Sequence, residues 1–99
     1  MIITDAELNL VRDILNRYLP ANTTAWVFGS RAHGPARKFS DLDLLFDQQG
    51  KKLSDNVFIE IAEAFDNSAL PYSVDLVDWN AISEDFKHHI QDKRILLHL

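Results

Sequence analysis

A chain of 99 residues, 46% hydrophobic and 25% charged, has ordinary globular composition and material for one small core, so a single domain over residues 1–99 is expected. The formal net charge of -5 argues against a broad basic face for nucleic acid, and the absence of cysteine excludes disulfides and thiolate metal sites. No basic-then-apolar leader and no membrane-length apolar run occurs, so a cytoplasmic protein without direct nucleic-acid or membrane binding is expected.

Thr4-Asp5-Ala6-Glu7 has capping-box spacing, with Ile3 and Leu8 suited to the adjoining hydrophobic staple. Leu8, Val11, Leu15, Tyr18 and Leu19 then recur at helical intervals until Pro20 stops the helix. Thr24 to Phe28 is β-branched, aromatic or small and runs into Gly29, as a short buried strand ending in a tight turn does. Ser30 to Ser40 reads as a helical turn followed by loop, and Asp41 to Phe46 as a second strand. After the polar turn Gln48 to Lys52, Ser54 caps a helix whose apolar stripe is Val57, Phe58, Ile61, Ala62 and Phe65, with Leu53 and Phe58 as its staple. Asn67 to Pro71 breaks that helix and Tyr72 to Val77 is a third strand. Ser83 opens a last helix with Ile82, Phe86, Ile90 and Leu97 as its apolar positions. Alternating elements of this kind predict an α/β or α+β layered domain, with helices packed on a sheet of three or four strands.

The chemistry concentrates in one stretch, where ten residues separate Gly29-Ser30 from Asp41-Leu42-Asp43. Residues two apart in a strand share a face, so Asp41 and Asp43 stand side by side while Leu42, Leu44 and Phe46 enter the core. Two adjacent carboxylates repel unless a cation lies between them, and hard oxygen donors suit Mg²⁺ alongside water and phosphate. Taken alone, an Asp-x-Asp pair also reads as the solvated side of an edge strand. A glycine between strand and helical turn lets backbone amides and the Ser30 hydroxyl approach a phosphate, although an ordinary turn with Ser30 as cap has the same local signature. The fixed spacing of the two pairs is what favours the chemical reading. Asp75, within Tyr72 to Asp78, shares its strand face with Ser73 and Val77 and is placed to complete a carboxylate triad or accept a proton. Asp78 reads as a cap or surface acid. Arg37, Lys38, His33, His88 and His89 read at least as well as solvated charges.

Gly29-Ser30, the ten-residue gap, Asp41-Leu42-Asp43 and Asp75 in Val-Asp-Leu-Val-Asp together resemble the DNA polymerase beta-like nucleotidyltransferase superfamily, and most of all its minimal, MNT-domain branch. The resemblance covers nearly the whole chain. It implies a palm-like mixed sheet with helices on one side, two Mg²⁺ ions held by Asp41, Asp43 and Asp75, and ATP as substrate. It implies that Gly29 and Ser30 hold the phosphates; from the residues themselves, Arg31 is placed to neutralise the triphosphate, and Ser40 joins them as a nucleotide-binding residue. The resemblance further implies an antitoxin in a hetero-oligomer, which transfers AMP to a tyrosine of a HEPN-domain ribonuclease toxin. Two other functions fit the residues: a partner-blocking antitoxin or regulatory subunit whose chemistry is incidental, and nucleotidyl transfer to a small molecule.

Overall fold

The computed structural model describes residues 1–99. In chain order it contains α1 (Asp5–Tyr18), β1 (Thr24–Phe28), α2 (Ser30–His33), β2 (Leu42–Asp47), α3 (Asp55–Asp66), β3 (Val74–Asp78), a 3₁₀ turn (Trp79–Ala81), α4 (Glu84–Ile90) and β4 (Ile95–Leu96). The capping box opens α1 as its spacing requires: Thr4 Oγ1 accepts the Glu7 amide at 3.1 Å and Glu7 Oε1 accepts the Thr4 amide at 3.0 Å. Ser54 and Ser83 cap α3 and α4 in the same manner, each accepting the amide three residues on.

The sheet is mixed, with strand order β3-β2-β1-β4. β2 runs antiparallel to β1 and parallel to β3, whereas β4 joins the free side of β1 antiparallel. Leu42, Leu44 and Phe46 are fully buried in the main core with Val11, Leu15, Val27, Ile61 and Phe65, so α1 and α3 cover that face of the sheet. Ala62, assigned to the apolar stripe of α3, is exposed.

Three features depart from the expected pattern. Leu45, on the opposite face of β2, is also fully buried, packed with Phe28 and Ile90. α4 therefore covers part of the second sheet face, and the helices are not confined to one side. The last helix stops at Ile90 rather than continuing toward Leu97, because Ile95 and Leu96 pair with Val27 and Trp26 as a fourth strand. Leu97 is buried through that pairing, its amide donating to the Ala25 carbonyl at 2.9 Å. Asp78 is a cap but not a surface acid: it is buried at the end of β3, and accepts hydrogen bonds from the Leu53 and Asn80 amides at 2.8 and 2.9 Å. No helix is long and apolar enough to cross a membrane.

Candidate active site

The site forms where β1 ends and β2 begins. Phe28 pairs with Asp43 across the antiparallel ladder, and Asp43 pairs with Asp75 across the parallel one. The two carboxylates thus occupy the same sheet face, one pleat beyond Leu45 and Val77, where the cover supplied by α4 ends. The amide of Leu42 donates to the Ser73 carbonyl at 2.9 Å and locks this register at the site's edge. Asp41 precedes the first residue of β2 and is exposed, as is Asp75, while Asp43 is half-buried between them.

Removal of Asp43 from water, then the charges of Asp75 and Asp41, push its pKa up from 3.8 to about 6. The cluster therefore has the electrostatic character expected of a cation site. Its acids are not drawn together into a cage able to hold a metal by themselves. That openness fits Mg²⁺, which commonly takes one or two protein carboxylates and fills its octahedron with water and substrate phosphate oxygens. Asp41, Asp43 and Asp75 are the residues that would hold it.

Gly29 adjoins the carboxylates because of its missing side chain. Its φ is 74°, and a Cβ there would run into the Asp43 carboxylate. Gly29 is also the N-cap of α2 and supplies no side-chain cap; the Ala32 amide turns back to the Gly29 carbonyl at 3.1 Å, and no side chain caps the amides before it. Ser30 follows, partly exposed. Between α2 and α4 lies a cleft of about 430 Å³ that begins at Gly29 and Ser30 and is floored by Phe28 and Ile90. Its far wall carries Phe86, His89 and Lys93, and Phe86 meets Phe28 edge-on at 6.2 Å between ring centres. Sequence periodicity put Phe86 in the core and His89 on the solvated face; only the tertiary placement of α4 brings them to the Gly29-Ser30 turn. A larger hollow, about 800 Å³ between α1 and α3, includes none of the acids of the site.

Arg31 and Ser40 are held differently from Gly29 and Ser30. Arg31 is buried, and its guanidinium donates to four backbone carbonyls: Ser40 at 2.8 Å, Ile2 at 3.0 Å, Lys38 at 3.0 Å and Arg37 at 3.2 Å. Its Cζ lies over the Tyr72 ring, 3.6 Å from the ring centre. Ser40 Oγ accepts the Arg37 amide at 2.9 Å. Both residues thus face the loop that leads into Asp41. Arg37 and Lys38 remain exposed, and His33 is bonded through Nε2 to the Lys93 carbonyl at 2.9 Å.

A mixed sheet with Asp43 and Asp75 on adjacent strands, Asp41 just before them and a Gly-Ser turn beside them defines a nucleotidyltransferase. The chain belongs to the polymerase beta nucleotidyltransferase family, whose model matches residues 9–98. It is 40% identical over 95 residues to the probable protein adenylyltransferase MntA of Haemophilus influenzae, which spans 96% of this chain and 82% of that protein. A crystal structure of a toxin-antitoxin with AMP-PNP matches at a TM-score of 0.75 and 25% identity, covering 92% of this chain and 72% of the other. A MntA-HpeT toxin-antitoxin variant with two Asp-to-Glu changes has the same fold, with a TM-score of 0.74 at 23% identity and coverage of 92% and 72%.

Proposed function

We propose that this chain, acting as one domain over residues 1–99, transfers AMP from ATP to a hydroxyl of a partner protein and thereby serves as an antitoxin. The observation that carries the reading is the half-buried Asp43, held beside Asp75 and Asp41 and directly against Gly29. Such crowding of like charge is relieved at neutral pH by a divalent cation, which can at the same time bind the oxygens of a phosphate chain. The 40% identity to a probable protein adenylyltransferase supports a protein acceptor. A tyrosine of a HEPN ribonuclease toxin is the acceptor proposed, within a cytoplasmic hetero-oligomer.

In the reaction, the acceptor hydroxyl gives up its proton, its oxygen attacks the α-phosphorus of ATP, and the bond to the β-phosphate oxygen breaks to release pyrophosphate. Mg²⁺, when bound at Asp41, Asp43 and Asp75, supplies charge neutralisation for the nucleophile and the leaving group. Asp75, exposed at the edge strand, orients the incoming hydroxyl and takes its proton. Gly29 and Ser30 receive the phosphates through backbone amides at the uncapped start of α2 and the serine hydroxyl. Arg31 and Ser40 serve the nucleotide from behind, by fixing the loop that ends at Asp41.

The test incubates the purified chain with Mg²⁺, ATP labelled at the α-phosphate and the product of the neighbouring gene. Label should pass to the partner with the wild-type chain and fail to pass with Asp41→Asn/Asp43→Asn. Equal labelling by the double variant, or none with either, would sink the proposal. A partner neutralised equally well by both chains would instead identify a blocking antitoxin.

A further inference from the structure

Arg31 is one of only two polar or charged residues buried in the molecule, and its guanidinium is bonded to backbone carbonyls. Its position in the chain and its contacts point to another role. Arg31 directly follows Gly29-Ser30 in α2. Three of its hydrogen bonds go to the carbonyls of Arg37, Lys38 and Ser40, the segment that delivers Asp41. Its guanidinium carbon lies over the ring of Tyr72, two residues before β3 and three before Asp75. One side chain therefore touches all three segments that carry the reacting groups. The fourth bond, to the Ile2 carbonyl, is returned by the Ile2 amide, which donates to the Arg31 carbonyl at 2.7 Å.

The far side of the stack is also anchored. Tyr72 donates its hydroxyl proton to Glu7 Oε1 at 3.1 Å, and that same oxygen accepts the Thr4 amide in the α1 capping box. Burial, followed by the hydrogen bond to Glu7, pushes the Tyr72 pKa up to about 12, so the hydroxyl remains a donor at neutral pH. Four of the five guanidinium N–H groups are engaged with carbonyls, a fan that a lysine ammonium with three donors on a flexible stem does not reproduce.

We propose that Arg31 is a positioning residue for AMP transfer, clamping the Gly29-Ser30 turn, the loop into Asp41 and the approach to Asp75 into one rigid frame. The assignment rests on the transferase reading above for its catalytic consequence, but the clamp itself stands on the contacts. Displacement of reacting groups by about 1 Å is enough to lower a rate by about a hundredfold, without comparable loss of ground-state binding.

The experiment compares wild type with Arg31→Lys, well below the melting temperature of each. Two readings are taken: kcat and KM for ATP in transfer to the partner, and amide hydrogen exchange over residues 36–42 with α3 as internal reference. Arg31→Lys is expected to lower kcat by about tenfold or more with KM within about threefold, and to speed exchange at the Arg37 and Ser40 amides while α3 is unchanged. Unaltered kcat per folded molecule, even with a lower melting temperature, overturns the proposal by reducing Arg31 to a stability element. A tenfold rise in KM at constant kcat also overturns it, since that marks direct contact with the nucleotide. If wild type transfers nothing, the functional reading fails while the exchange data still decide the clamp: unchanged exchange at 36–42 overturns it. If Arg31→Lys does not fold, Tyr72→Leu removes the stacked ring while sparing the carbonyl bonds. Faster exchange at 36–42 is expected there too, and unchanged exchange overturns the proposal.

Discussion

Replacing Asp43 by asparagine is expected to make the metal-free protein more stable while abolishing transfer. Asp43 titrates at about 6 in the fold against 3.8 for an ordinary aspartate, a difference worth about 3 kcal/mol at ~1.4 kcal/mol per pKa unit. Because the side chain is only half-buried, solvent screening reduces this to about 1–2 kcal/mol. The raised pKa means that the fold favours the protonated acid. That favourable contribution is complete below about pH 3.8 and is lost as pH rises through about 6, so at pH 7.5 the ionised carboxylate is a net burden. Asparagine keeps the shape without the charge. In chelator-containing buffer at pH 7.5, Asp43→Asn should melt at least about 4 °C above wild type, given about 4–8 °C per kcal/mol for a chain of this size. The gap should close at pH 3.5, and Mg²⁺ with ATP should raise the melting temperature of wild type more than that of the variant. Equal melting temperatures at pH 7.5, or a gap independent of pH, would refute the reasoning about charge crowding at this site.

Gly29→Ala combines a left-handed φ with a Cβ directed into the Asp43 carboxylate, so it should cost about 1–3 kcal/mol in urea denaturation and depress transfer by displacing that acid. Asp78→Ala orphans the Leu53 amide at a buried position and should cost about 1–3 kcal/mol by the same assay, with the folded variant retaining ATP affinity. Thr4→Ala breaks the capping box of α1 and should cost about 1 kcal/mol.

The parts of this architecture visible in the sequence are those governed by local rules. The Thr4 box, the Ser54 and Ser83 caps and the strand Thr24–Phe28 each follow from neighbouring residues, and each is found where the spacing puts it. β4 was invisible because a two-residue strand has no period; it exists only through its register with Trp26 and Val27. The same is true of Leu45, whose burial depends on α4 crossing the second face of the sheet.

The candidate site divides along a similar line. Asp41 and Asp43 stand in one short segment, so their proximity can be read directly, whereas the pairing of Asp43 with Asp75 requires the parallel β2-β3 register that no local pattern encodes. Arg31 lay inside the recognised motif, yet an arginine beside a Gly-Ser turn carries no mark telling phosphate from carbonyl as its partner. Burial supplies that distinction: four carbonyls and the face of Tyr72 enclose the guanidinium, while Gly29 and Ser30 stay accessible.

Covalent transfer of AMP by the Asp41-Asp43-Asp75 cluster can be read in the intact mass of the partner protein. Partner purified after co-expression with the wild-type chain should gain the mass of one or more AMP groups, mapped by fragmentation to a hydroxyl side chain, and partner co-expressed with Asp43→Asn should retain its unmodified mass. An unmodified partner with the wild-type chain, or the same mass gain with Asp43→Asn, would contradict the account.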